Sequence, residues 1–350
     1  MDFDWGKVKG NWRRWWAGEL ERPVFNITVS EPEPGVKAFW SHYDFSIPAI
    51  DILKSRGKAL ACDRHHADAF PSLWPNFGPG VLAAFTGGEG RNAEDTVWFH
   101  PGRFEGLDIY DIHVKLDKGA PWFRRVEEFY LAAAKLWPDK GVQLGMTDLG
   151  GALDVLASFR PGEQLLLDLY DHPEEVKRIT WEIHAAWWET FEHFDALNRK
   201  ASPGHSAWTP LYSDTRYYMT QCDFSYMISP DMFAEFVRPE LAATCAKLDH
   251  GFYHLDGKGE LPHLEHLLSI PELKGVQWIP GAGAPPIDQW PEVVNRIVAA
   301  GKKLQVYCGL EQIDAIVSQV DDPGAVAFIG GVGQGQEGEL LEVLRKYHAC

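Results

Sequence analysis

Eight segments of strand character, each followed by sequence of helical character, constrain this 350-residue chain more than any other feature. Pro23-Val24-Phe25-Asn26-Ile27-Thr28-Val29 is apolar and β-branched, and reads as the first strand. Further strands are expected at 61–70, 141–148, 206–214, 252–257, 275–280, 303–309 and 325–331. Helices are expected at 47–59, 121–137, 163–170, 173–196, 229–248, 261–269, 288–300, 311–319 and 337–347. Ser229 followed by Pro230 is a helix start, and Gly301 a helix stop. Strands that alternate with helices must run parallel, because each helix returns the chain to the same end of the sheet. Eight such units predict an α/β fold, a closed (β/α)8 barrel spanning residues 23–350, with an insertion at about 85–120. Residues 1–22 form an N-terminal extension. Its amphipathic helix at 4–19 carries Trp12, Trp15 and Trp16 on one side, as a lid over the barrel bottom or a contact in a homodimer.

Composition limits the function. A net charge of −17 argues against a nucleic-acid or anionic-membrane partner, since both need basic surface. No run of 18 apolar residues would span a bilayer. The start, Met1-Asp2-Phe3-Asp4-Trp5, has no apolar signal core. The five cysteines are odd in number and widely spaced, without a disulfide framework or a Cys-x-x-Cys pair, so a cytoplasmic home is expected. No glycine-rich phosphate signature follows the first strand, which argues against a dinucleotide fold. Gly330-Gly331-Val332-Gly333-Gln334-Gly335 contains a G-x-G after the eighth strand, which reads equally as an anion-binding loop and as a plain tight turn.

In such a barrel the active site lies at the carboxyl ends of the strands. Strand-end positions there are Asp68, Asp148, Tyr212, Asp214, His254, Asp256, Gln277, Trp278, Tyr307 and Cys308, with Trp74 and Asn76 from the loop after the second strand. His254 and Asp256 stand two apart on one strand and so share a face. They read as a metal pair or an acid/base pair, or as a hydrogen-bonded pair closing the strand. Cys308 is a third candidate ligand or a small buried hydrophobe. Asp68 and Asp148 would position a substrate, or cap the helices that follow. Tyr212 and Tyr307 would line the mouth, or pack its rim. Trp74 and Trp278 would wall it with aromatic faces.

Several stretches resemble the uroporphyrinogen decarboxylase superfamily. Met146 to Arg178 is similar to its third-strand region, with a glycine-rich turn and the run Leu165-Leu166-Leu167-Asp168-Leu169-Tyr170-Asp171-His172-Pro173-Glu174. Ile228-Ser229-Pro230-Asp231-Met232-Phe233, with Phe236-Val237-Arg238-Pro239, resembles the segment before its fifth strand. A branch labelled trimethylamine corrinoid protein 2 resembles the chain at Tyr253-His254-Leu255-Asp256-Gly257, at Gln277-Trp278-Ile279-Pro280-Gly281-Ala282-Gly283 and at Leu73-Trp74-Pro75-Asn76-Phe77-Gly78-Pro79-Gly80.

The resemblance implies different chemistries for different members. True decarboxylases carry an Arg-Gln-Ala-Gly-Arg run after the first strand, where this chain has Ser30-Glu31-Pro32-Glu33-Pro34. Those acidic residues would repel a polycarboxylate, although Asp68 looks matched to the decarboxylase aspartate. Cobalamin-dependent methyltransferases of the superfamily bind zinc through His-x-Cys and a distant Cys. Here His254 matches the histidine, Asp256 replaces the first cysteine, and Gly331 lies near the second, with Cys308 one strand earlier.

The expectation is an enzyme that transfers methyl between a small methylated substrate and a corrinoid carried by a partner protein, assisted by zinc or another divalent metal. His254, Asp256, Asp68 and Asp148 would act in catalysis. Trp74, Asn76, Tyr212, Asp214, Gln277, Trp278 and Tyr307 would bind the substrate, and His254, Asp256 and Cys308 the metal. A lyase or hydrolase acting on a sugar-like or carboxylated metabolite, and a non-catalytic binding barrel, are the alternatives.

Overall fold

The computed structural model describes residues 3–30, 44–93 and 96–350. In chain order the elements that matter here are α1 (Trp5–Ala17), β1 (Val24–Ser30), α2 (Ala49–Cys62), β2 (Arg64–His65), β3 (Ser72–Leu73), α3 (Leu82–Phe85), β4 (Glu89–Asn92), β5 (Val97–His100), α4 (Pro121–Leu136), β6 (Gln143–Leu144), α5 (Ala152–Phe159), α6 (Gln164–Asp171) and α7 (Pro173–Ala201). They continue with β7 (Tyr217–Thr220), α8 (Pro230–Met232), α9 (Arg238–Cys245), β8 (His250–Asp256), α10 (Leu264–Leu268), β9 (Leu273–Ile279), α11 (Pro291–Ala299), β10 (Lys303–Tyr307), α12 (Ile313–Val317), β11 (Val326–Gly333) and α13 (Glu337–Lys346).

The fold is mixed α/β around a mostly parallel sheet. Seven strands pair in the order β2-β1-β11-β10-β9-β8-β7, every pair parallel except β1 with the short β2. A separate parallel pair joins β3 to β6. Three backbone hydrogen bonds link these segments: Asp68 N–H to Phe25 O at 3.2 Å, Gly145 N–H to Leu73 O at 2.9 Å, and Met146 N–H to Ser206 O at 2.9 Å. A further antiparallel pair joins β4 to β5. Among the described residues no helix is long and apolar enough to cross a membrane.

Each parallel strand buries both faces, as strands sandwiched between helices and an interior must. On β8, Phe252, His254 and Asp256 share one face while Tyr253 and Leu255, both fully buried, share the other. Gly275 of β9 makes room for the Phe252 ring, because a Cβ there would meet the ring at 2.1 Å. The helix α1 packs across the starts of the strands. Trp12 and Trp15 are fully buried, Trp16 stacks on His250 at 3.9 Å, and Lys303 Nζ lies 5.3 Å from the centre of the Trp15 ring. Asp4 starts α1 by accepting from the N–H groups of Gly6 and Lys7.

Two expected strands are corrected. Residues 61–70 contain the end of α2, the two-residue β2 and a loop, and the next parallel strand begins only at Ser72. Residues 206–214 contribute a single antiparallel bridge, His205 with Ser213, and the strand is β7 at Tyr217–Thr220. The acidic loop expected at Ser30–Pro34 lies, beyond Ser30, outside the described residues.

Candidate active site at the carboxyl ends of the strands

The two strand corrections move three of the expected residues. Asp68 lies beside the beginning of β1 and is fully buried. Arg22 grips it with two hydrogen bonds of 2.6 and 3.0 Å, Asn11 Nδ2 donates at 2.8 Å and Phe25 N–H at 3.0 Å. Tyr212 and Asp214 precede β7 and face α1. The Tyr212 hydroxyl donates to Asp214 at 2.8 Å, Arg13 pairs with the same carboxylate, and the Trp16 indole N–H donates to Tyr212 O at 2.8 Å. All three residues thus stand at the amino ends of the strands, away from His254. Trp278 is misplaced for another reason. It follows Gln277 directly, so it points away from the interior, where it is fully buried and packs edge-on against Trp290 at 5.3 Å.

The remaining residues sit at or beyond the carboxyl ends. His254 and Gln277 are register partners on β8 and β9, and the His254 Nδ1–H donates to the Gln277 amide oxygen. That bond orients the ring and leaves Nε2 for a ligand. The edge of the His254 ring meets Trp208 at 4.9 Å, and Trp74 follows at 6.5 Å, so two indoles extend away from the imidazole. Asn76 is buried and shapes its own loop by accepting from Gly78 N–H at 3.0 Å. Gly80 in that loop touches the turn after β6. A Cβ on Gly150 would lie 2.6 Å from the Gly80 Cα, and both residues have positive φ, so only glycines permit the contact. Tyr307 is exposed at the end of β10, and Cys308 follows it half-buried.

Around these residues lies an acidic group that extends well past Asp148 and Asp256. Asp154 opens α5, Asp223 follows β7, and Glu260 follows β8. Burial raises Asp148 to about 7, against a hydrogen bond from Gly150 N–H at 2.8 Å. Burial and then the nearby Asp223 raise Asp154 to about 8. Burial, again with Asp223, raises Glu260 to about 10. Asp223 itself is raised by burial and by Asp256, against the pull of His254. A buried carboxylate without a cation favours its neutral form, and each one discourages its neighbours from ionising. The sequence reading missed Asp154, Asp223 and Glu260. The signal for Asp223 was the run Tyr217-Tyr218-Met219-Thr220, a buried strand whose end delivers Gln221, Cys222 and Asp223.

The expected metal set does not fit. Among the described residues no three His, Cys, Asp or Glu side chains gather as a metal site. Burial, with Glu311 and Asp288 adding to it, raises the Cys308 thiol to about 12.

No family model matches this sequence, and no curated protein does. Among solved structures, a methyltransferase from Methanosarcina mazei is similar over 98% of this chain and 99% of its own, with a TM-score of 0.60 at 14% identity. At that identity the likeness is one of fold. It covers the mostly parallel sheet and its helices essentially end to end.

Proposed function

We propose that this chain is a methyltransferase that removes a methyl group from a small amine cation and passes it to a corrinoid carried by a partner protein. The scaffold would be a (β/α)8 barrel. The hydrogen bonds from Asp68 N–H to Phe25, from Gly145 N–H to Leu73 and from Met146 N–H to Ser206 support strand-to-strand continuity on the side away from β8 and β9. The observation that carries the functional reading is the acidic group around Asp148, Asp154, Asp223, Asp256 and Glu260, at the strand ends of a fold shared with a methyltransferase. The charged neighbours that act on Asp154, Asp223 and Glu260 are one another, Asp256 and His254. A cationic substrate supplies the missing positive charge, and the indoles of Trp74 and Trp208 supply faces that attract it.

In methyl transfer the C–N bond breaks, the electron pair stays on nitrogen, and the methyl group joins the acceptor. The corrinoid of the partner supplies that nucleophile. The residues of this chain bind and orient the amine: the carboxylates hold its charge, His254 Nε2 contacts it from β8, and Gln277 keeps the imidazole in place. A porphyrinogen does not suit this mouth, because its carboxylates would meet like charge.

Incubating the purified chain with amines bearing a ¹⁴C-methyl group and with free cob(I)alamin tests the proposal. Transfer of label to the cobalamin is expected, falling about 100-fold or more in His254→Ala, in line with the loss of a positioned polar group. Absence of transfer from any of a panel of tertiary and quaternary amines would remove it.

A further inference from the structure

His254, Gln277 and Gln305 stand side by side on one rung of the sheet. Gln277 is the register partner of His254 on one side and of Gln305 on the other. Adjacent strands lie about 4.8 Å apart and register partners point to the same face, so the three polar side chains are direct neighbours. Both glutamines are fully buried. The His254 Nδ1–H donates to Gln277 Oε1. Beyond that bond the rung is unmatched: Gln277 Nε2 and both amide ends of Gln305 are buried without a close hydrogen bond. Tyr307 lies two residues beyond Gln305 on β10 and shares its face. The residue is 40% exposed, yet its hydroxyl turns inward: burial raises it to about 12, against the pull of the Gln277 and Gln305 side chains.

A glutamine amide has an acceptor at one end and a donor at the other, so its two orientations ask opposite things of a neighbour. With Oε1 toward His254, the neutral imidazole carries its proton on Nδ1 and Nε2 is bare. With Nε2 toward His254, Nδ1 is bare and the proton sits on the other nitrogen. His254 can satisfy either orientation, so the choice falls to the groups at the far end of the Gln277 amide. Among the described residues those groups are Gln305 and Tyr307. The Gln277 donor is closed off from water, and leaving it unmatched costs about 1–3 kcal/mol.

We propose that Gln305 and Tyr307 are positioning residues that act through Gln277: they draw its Nε2 donor toward themselves, which turns its oxygen to His254 and keeps the His254 proton on Nδ1. In that arrangement Gln305 Oε1 accepts from Gln277 Nε2, and the Tyr307 hydroxyl accepts from Gln305 Nε2. The bare His254 Nε2 is then left to the substrate. A lone pair there attracts an amine cation, whereas an N–H would turn positive charge toward it. The proposal rests on the methyltransferase reading for what Nε2 meets, and adds two residues to that site.

Long-range ¹H–¹⁵N correlation spectra of the ¹⁵N-labelled full chain at pH 9 read the tautomer, with His254 assigned by the signals lost in His254→Asn. The wild type is expected to favour the proton on Nδ1 by about tenfold, the ratio that one intramolecular hydrogen bond supplies. Gln305→Met keeps the length and removes both polar ends, and Tyr307→Phe removes only a hydroxyl. Each should lower that ratio about threefold or more. In Gln277→Glu both oxygens are acceptors, so no choice of orientation remains. Adding Gln305→Met to Gln277→Glu should therefore leave the proton on Nδ1, a rescue that a packing role for Gln305 does not give. Thermal unfolding checks that each variant is folded, and Tyr307→Phe at the half-open strand end carries the test should Gln305→Met fail to fold. A wild-type proton on Nε2, an unchanged ratio in either folded single variant, or loss of the Nδ1 proton in the double variant would overturn the proposal. The expected tautomer series without labelling of cob(I)alamin keeps the rung and removes the methyltransferase reading. Labelling with an unmoved tautomer does the reverse.

Discussion

The two ends of the strands use the same residue type to opposite purpose. At the amino ends, Asp68 is fully buried yet makes four side-chain hydrogen bonds, two of them to Arg22. Asp214 likewise has both Arg13 and Tyr212. Burial alone would raise Asp214, but the bonds from Arg13 and Tyr212 outweigh it and hold the carboxyl below the usual carboxylate range. At the carboxyl ends, Asp148 and Glu260 are buried, Asp154 is half-buried and Asp223 exposed as a residue, and all four carboxyl groups are raised, with one another as neighbours. A buried charge is tolerable where cation and hydrogen bonds accompany it. Where they do not, the group costs stability, and a ligand is what can recover it. The helix α1 makes the difference, since its Asn11 and Arg13, with Arg22 just after it, serve one end only.

The sharpest way to break this comparison is to remove one carboxylate from each end. Asp68→Ala leaves Arg22 half-sequestered without its partner and should cost about 3–5 kcal/mol in urea unfolding. Asp154→Asn removes a group that burial disfavours and should leave stability unchanged or raise it. Equal losses at both ends would contradict the contrast.

The next effect is one of pH. Groups raised in the folded protein bind extra protons there, so their contribution to stability is complete below the ordinary carboxylate range. It is lost as pH rises through about 7 for Asp148 and about 8 for Asp154. Asp214 has the opposite sign: its contribution is present above the ordinary range and lost as pH falls through its lowered folded value. Melting temperature should therefore decline between about pH 5 and 8. Combining Asp154→Asn with Glu260→Gln should flatten that decline, while Asp214→Asn alters only the acid limb. His254, Asp256 and Cys222 border the same group and stay intact in this comparison.

A smaller effect is expected from Tyr212→Phe, which removes one hydrogen bond to Asp214 but spares Arg13. A loss of about 1 kcal/mol in the same unfolding measurement would agree. The smallest test leaves the fold alone. Burial and then Asp154 push the Cys222 thiol up, and burial holds Cys308 near 12, whereas Cys62 and Cys350 are exposed. Iodoacetamide at pH 8 should modify Cys62 and Cys350 well before Cys222 and Cys308, as read by peptide mass. Early modification of Cys222 would show that the acidic end is open and ionised.

Much of the fold was legible because β1 and β8 to β11 are apolar enough, and their flanking helices regular enough, for periodicity to reveal them. Tyr217–Thr220 escaped because all four residues are buried, which erases the alternation that marks a strand. That one omission shifted the fourth unit back along the chain and put Tyr212 and Asp214 at the wrong end. His254 and Gln277 stand side by side because parity on a long strand fixes the face. The same parity, applied to neighbouring positions, sends Trp278 outward.

The sequence by itself determined the alternation of strand and helix, the acidic balance, and the shared face of His254 and Asp256, since these depend on neighbours within a few residues. Only the tertiary structure decided which aspartates meet a cation. Asp68 finds Arg22 across 46 positions of chain, and Asp154 lies against the Phe224 N–H 70 positions away. Pairing over such distances depends on how the strands are ordered and where α1 packs, and the charge of a buried carboxyl group follows from that pairing.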